Sequence, residues 1–109
     1  MTRRILVTGG FGYLGGRLAQ FLASQEGYEI LLGSRRQTHP PSWLPQIKVV
    51  ETQWDLPQGL QEICSSVDCI VHLAGMNAQE CAADSAAALE VNAVATARLV
   101  QAAVRQKLK

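Results

Sequence analysis

The run Thr8-Gly9-Gly10-Phe11-Gly12-Tyr13-Leu14-Gly15 places four glycines within eight residues. Glycine at that density lets main chain turn sharply and come close to something else. Two overlapping spacings fit, Gly10-x-Gly12-x-x-Gly15 and Gly9-x-x-Gly12-x-x-Gly15. An apolar run, Ile5-Leu6-Val7, precedes the turn and an amphipathic helical pattern follows it. In that order a strand delivers the backbone, the glycines turn it, and the helix aims its first free N–H groups at an anion. The early glycines supply conformations that a Cβ resists, Gly12 lets a pyrophosphate approach the main chain, and Gly15 lets the helix pack close to the strand. Any tight turn is glycine-rich, so the motif takes its meaning from its surroundings.

Other residues with chemistry to offer are few. Asp55 can accept the exocyclic amino group of an adenine, or it can simply form a turn ahead of Pro57. His72 lies in an apolar run, where a packed core histidine is the usual occupant and a catalytic one the exception. Asn92 falls inside a helical pattern despite its poor helix propensity, so it either faces solvent or hydrogen-bonds across the core. Cys64, Cys69 and Cys81 make an odd number with no CxxC spacing. They fit a reduced protein better than a disulfide or zinc framework, and Cys64 and Cys69 read as small apolar fillers. No metal site is expected.

The elements that must position these residues follow from periodicity. Arg3 to Thr8 reads as a strand buried on both faces, because its apolar residues are continuous. Tyr13 to about Gln25 reads as a helix with Leu14, Leu18, Phe21 and Leu22 as its apolar stripe, and Gly27 stands where a C-terminal cap is expected. Glu29 to Ser34 is a second strand, which completes a βαβ unit. Arg35 to Pro45 is a proline-interrupted loop on which Trp43 covers an apolar patch. Ile47 to Gln53 is a third strand, Gly59 to Ser65 a short helix, and Val67 to Leu73 a fourth strand closed by Ala74-Gly75. A long alanine-rich helix runs from about Asp84 to Lys107, with Asp84 or Ser85 as its cap and basic residues at its C-terminal end.

Composition narrows the class. At 109 residues the chain is at most one domain, and 48% hydrophobic with 17% charged residues is globular rather than disordered. A net charge of +1 without a basic stripe argues against a nucleic-acid binder. No signal peptide and no apolar run of membrane-spanning length is visible, so the expected setting is cytoplasmic, with no membrane partner.

The glycine run resembles the TGxxGxxG signature of the extended short-chain dehydrogenase/reductase family, which includes nucleotide-sugar epimerases and dehydratases. Three further stretches resemble that family in the same order. Asp55-Leu56 is similar to the acidic-apolar pair that contacts adenine. His72-Leu73-Ala74-Gly75 is similar to the "HLAA" end of the fourth strand beside the cofactor. Val91-Asn92-Ala93-Val94-Ala95-Thr96 is similar to the "VNxxGT" opening of the long helix, with Ala95 where the pattern has glycine. The resemblance covers about residues 3 to 105. It implies an α/β fold, a Rossmann-like parallel sheet of about four strands in the order 3-2-1-4 with flanking helices, incomplete relative to the family. Residues 1–109 would then be the N-terminal part of a dinucleotide-binding domain, without the substrate domain. Gly9, Gly10, Gly12 and Gly15 would form the pyrophosphate turn, Phe11, Tyr13 and Leu14 would present N–H groups or ring surface beside it, Leu73, Ala74 and Gly75 would lie beside the cofactor, and Asn92 would turn inward near the active site.

The end of the second strand bears on the choice of nicotinamide cofactor. An acid there bonds the ribose 2′-hydroxyl of NAD, whereas arginine accommodates the 2′-phosphate of NADP. This chain reads Ser34-Arg35-Arg36 with no acid, so NADP is preferred over NAD, with the arginines as paired N–H donors and Ser34 as a hydroxyl donor. The alternative is a solvated basic pair at the start of a loop.

The family's chemistry depends on a Tyr-x-x-x-Lys pair. The tyrosines here are Tyr13 and Tyr28, followed four residues on by Arg17 and Leu32. The expectation is therefore the cofactor-binding half of an epimerase, dehydratase or reductase, whether a truncated gene product, a proteolytic remnant or a designed piece, and not catalytically complete in itself. The other hypothesis is a non-catalytic NADP-binding redox sensor or scaffold. A mononucleotide or flavin binder is disfavoured by the arginine pair. An open fourth strand with apolar faces predicts self-association or pairing with the missing half.

Overall fold

The computed structural model describes residues 2–35 and 38–106. Arg36, one of the residues expected at the 2′-phosphate, lies outside them, as does Lys107. Four strands form one parallel sheet in the order β3-β2-β1-β4, with β1 Arg3–Thr8, β2 Tyr28–Ser34, β3 Lys48–Glu51 and β4 Cys69–His72. This is the expected fold class and strand order. In register, Ile5 sits beside Ile30 and Cys69, and Thr8 beside His72.

Alternation along β1 divides the core between the two faces of the sheet. Ile5 and Val7 pack with Ile30, Leu32, Ile47 and Ala19. Leu6 points the other way and packs with Leu31 and Val67. On that side α2 (Pro57–Ser65) meets α5 (Ala95–Arg105) through Leu60, Cys64, Leu99 and Ala102. Both faces are covered, which is why the strand reads as continuously apolar. Cys64 is a filler in this layer, and burial pushes its thiol pKa up.

Helix α1 (Tyr13–Ala23) keeps Leu22 of its expected stripe against the core but departs from that stripe at Leu14 and Phe21. Gly15, Gly16 and Ala19 are its buried residues, while Leu14 and Phe21 are 68% and 62% exposed. The smallest side chains face the sheet because the helix approaches the glycine turn too closely for larger ones. A Cβ on Gly15 would overlap the carbonyl oxygen of Gly9, and Trp43 from the proline-rich loop lies over Gly16. The helix also ends at Ala23, two residues early, and Gly27 turns the chain into β2 at φ +88° while its carbonyl accepts from the Arg3 amide at 2.8 Å.

The strands at the sheet's edges are shorter than expected, although Asp68 N–H donates to Arg4 O and Thr52 N–H to Ser34 O just beyond them. Helix α2 begins two residues early, with Pro57 in its first turn, where a missing N–H costs nothing. A helix absent from the expectation, α3 (Ala78–Ala83), starts at a capping box between Asn77 and Glu80. The expected single long helix is divided. Asp84 caps α4 (Ser85–Leu89), a π-helical turn occupies Glu90–Val94, and α5 follows. Among the described residues no helix is long and apolar enough to cross a membrane.

Candidate functional site

A cleft of about 1040 Å³ opens at the carboxyl ends of the strands. Between β1 and β4 the order of the sheet reverses direction, and open α/β sheets bind ligands at such a switch point. The glycine turn forms one wall. Gly9 has φ +67°, a left-handed conformation that glycine adopts without strain. A Cβ there would lie 2.7 Å from the Leu73 carbonyl carbon and 2.8 Å from the Ala74 nitrogen, so the turn and the end of β4 sit back to back.

Helix α1 then starts at Gly12 with no side chain capping its first turn. By contrast, α3 and α4 are capped by Asn77 and Asp84. An uncapped start leaves N–H groups at the positive end of the helix dipole without an internal acceptor. Gly9, Phe11 and Gly12 line the cleft directly. Gly10 and Gly15 stand behind the wall, where added Cβ atoms would meet Leu32 and Gly9 respectively. Tyr13 and Leu14 do not line the cleft with their side chains. Tyr13 is 74% exposed and lies under the Arg17 guanidinium at 4.7 Å.

The second wall comes from the ends of β2 and β3. Ser34 and Arg35 line it with Gly33 and Thr52, and the Thr52 hydroxyl donates to the Ser34 carbonyl at 3.0 Å. Asp55 also lines the cleft, next to Trp54. Leu56 does not. It precedes α2 as its N-cap residue and borders a separate shallow depression with Gln53 and Pro57.

The third wall is the loop after β4, Leu73 to Met76, all four residues of which line the cleft. Asn92 stands behind it on the π-helical turn and not in the lining. Its Oδ1 accepts from Met76 N–H at 2.8 Å and its Nδ2 donates to the Met76 carbonyl at 3.4 Å and to Cys81 Sγ at 3.4 Å. Asn92 is itself exposed, and it acts on the cleft through the Met76 main chain that it holds.

Arg98 is a lining residue without a sequence signal. It reaches in from α5, donates to the Trp54 carbonyl at 3.4 Å and pairs with Glu90 at 3.2 Å. Thr8 and Thr96 hold the two ring nitrogens of His72, at 2.7 and 3.0 Å. The imidazole is half-buried against the Trp54 ring, with centroids 5.5 Å apart, and burial lowers its pKa from the ordinary 6.5. Among the described residues no cluster of three or more His, Cys, Asp or Glu is placed to hold a metal.

The sequence profile of the NAD dependent epimerase/dehydratase family matches residues 5–109. D-erythronate dehydrogenase of Haemophilus influenzae is 30% identical over 102 residues, covering 90% of this chain and 32% of that protein. L-threonine dehydrogenase from Clostridium difficile superposes with a TM-score of 0.85 at 22% identity, over 99% of this chain and 35% of its own. The Bordetella bronchiseptica enzyme WbmH, in complex with NAD+, superposes at 0.78 with 20% identity, over 99% of this chain and 37% of its own. The chain thus spans only about a third of the length of these relatives. A profile match across nearly the whole sequence, on a parallel sheet that carries the glycine turn at its switch point, means that the chain belongs to the NAD-dependent epimerase/dehydratase family.

Proposed function

We propose that the cleft holds a nicotinamide dinucleotide. The observation that carries this is the Cβ-free cradle: Gly9, Gly12 and the uncapped start of α1 together leave room and N–H donors for a diphosphate. The adenosine half then lies along Ser34, Arg35 and Asp55, and the nicotinamide end beside Leu73, Ala74 and Gly75. Gly10 and Gly15 shape the turn from behind, and Asn92 holds the Met76 end of the loop. Tyr13 and Leu14 contribute main-chain N–H groups rather than side chains, and Leu56 follows Asp55 as the N-cap residue of α2.

NADP is the preferred form, because the second strand ends in Ser34-Arg35-Arg36 with no acid to take a 2′-hydroxyl. A guanidinium at Arg35 offers paired donors to a dianionic phosphate. The bound cofactor supplies hydride transfer, and the chain supplies position and electrostatics. No Tyr-x-x-x-Lys pair occurs in the 109 residues, so in this proposal epimerisation, dehydration or reduction of a sugar nucleotide or similar substrate draws its proton-transfer groups from outside them. Titration of NADP and NAD against wild type and Arg35→Asp tests the assignment. The variant is expected to lose NADP affinity about tenfold or more while NAD affinity changes little. Equal loss for both cofactors would remove Arg35 from the 2′-phosphate site.

A further inference from the structure

The hydrogen bonds around His72 have only one consistent direction, and it fixes where the ring proton sits. Thr8 Oγ1 accepts from Leu73 N–H at 3.0 Å, which it shares with its own carbonyl at 3.2 Å, and from Ala74 N–H at 3.2 Å. A hydroxyl has two lone pairs and one hydrogen. Both amides can only donate, so the Thr8 hydrogen is left for His72 Nδ1, which must be bare. The other end of the ring leads to the same result independently. Thr96 Oγ1 gives its hydrogen to the Asn92 carbonyl at 3.1 Å, so it must accept from His72 Nε2–H. The relay therefore runs from the Leu73 and Ala74 amides through Thr8, His72 and Thr96 to Asn92, whose side chain returns to Met76. Both ends of the cleft-lining loop are tied into one circuit.

An imidazolium breaks that circuit at one point. Protonated Nδ1 presents a hydrogen to a hydroxyl whose acceptor sites are already taken, so Thr8 must release Leu73 or Ala74. That peptide lies directly behind Gly9, where even a methyl group has no room. We propose that His72 is a positioning residue which, neutral and protonated at Nε2, holds the Leu73–Ala74 peptide against the glycine turn, so that protonating it loosens the cleft and weakens dinucleotide binding. This rests on the cleft being a dinucleotide site, but the state of the ring does not. The groups facing the ring are Thr8 from β1, Trp54 from the segment after β3 and Thr96 from α5. Charged side chains on those elements are Arg3 and Arg4 at the far end of β1, Asp55, and on the last helical segment the paired Glu90 and Arg98 with Arg105. Among the described residues no ion pair includes His72.

Burial of the neutral ring sets the sign of the stability effect. The folded pKa lies below the ordinary 6.5, so between those two values the unfolded chain binds more protons. Stability contributed by the neutral ring is complete above 6.5 and is lost as pH falls through the folded pKa.

The test is ¹⁵N and amide NMR of the chain from about pH 8 down through about pH 5. The expected result is an Nε2–H tautomer, a His72 midpoint below the ordinary 6.5, and Leu73 and Ala74 amide shifts that follow that midpoint. NADP affinity is then measured over the same range in wild type and His72→Gln, which keeps a donor and an acceptor but cannot titrate. Wild type is expected to weaken by up to about tenfold more than the variant on acidification, the worth of about one hydrogen bond. The comparison cancels titration of the ligand's own phosphate. An Nδ1–H tautomer, amides indifferent to His72, or the same pH dependence in both proteins would overturn the proposal. Absence of NADP binding at every pH would instead overturn the cleft assignment, leaving the ring circuit to be judged by the amide titration. If His72→Gln does not fold, Thr96→Val serves, since removing the Nε2–H acceptor is expected to shift the His72 midpoint and tautomer in the same spectra.

Discussion

At the scale of single residues, the glycines of the turn separate into two kinds, and substitution distinguishes them. Gly15 is a packing glycine: its Cβ would collide with the Gly9 carbonyl, and neither backbone can yield. Gly15→Ala is expected to destabilise the fold by on the order of 1–3 kcal/mol, visible as a lowered urea midpoint. Gly12 lines the cleft, and a Cβ there would stand 3.2 Å from Gly9 O, a tight but adjustable contact. Gly12→Ala should therefore leave the urea midpoint within about 1 kcal/mol of wild type while dinucleotide titration shows a marked loss of affinity. Comparable stability losses for both would mean that the turn is only a turn. The spacing already separates Gly12, for close approach of an anion, from Gly15, for close helix packing, but it does not record which neighbour excludes each Cβ.

At the scale of elements, strands were legible and helix faces less so. A continuous apolar run such as Ile5-Leu6-Val7 has few alternatives to a doubly covered strand. Helix α1 shows the opposite case: of its expected stripe Leu14, Leu18, Phe21 and Leu22, Leu22 packs on the core but Leu14 and Phe21 are exposed, and the buried contact is made through Gly15, Gly16 and Ala19. Residue size is misleading where the requirement is close approach. The last helix also hid its π-helical turn, since an alanine-rich pattern carries no mark of a changed hydrogen-bond step. That turn matters because it brings Asn92 to Met76. Asn92→Ala would release the Met76 main chain from a two-bonded partner, at a cost of about 1 kcal/mol or somewhat more. Faster hydrogen exchange at Met76, with α5 otherwise unchanged, is the expected observation; unchanged exchange there would show that the loop is held by something else. Thr8 and His72, at the paired ends of β1 and β4, were individually visible, but their shared circuit depends on register that no local pattern encodes.

At the scale of the whole molecule, the two edges of the sheet are not equivalent. The β3 edge carries Lys48 and Glu51, both exposed, and charge on an edge strand discourages further pairing. The β4 edge, Cys69-Ile70-Val71-His72, carries no residue of fixed charge, and its other neighbour in the sheet is absent among the described residues. Exposed Val100 and Val104 on α5 and Leu14 and Phe21 on α1 add apolar surface that water does not favour. We expect these features to be covered by further polypeptide, either a continuation such as the longer relatives possess or a second copy of this chain. Sedimentation of the 109-residue chain should then show concentration-dependent association, and β4 amides should exchange more slowly as concentration rises. The pairing would use main-chain groups of β4 that face away from β1, so protection should grow there before it grows on α5. A compact monomer at every concentration, with β4 exchange unchanged, would mean that a neutral strand edge of four residues is too short to recruit a partner.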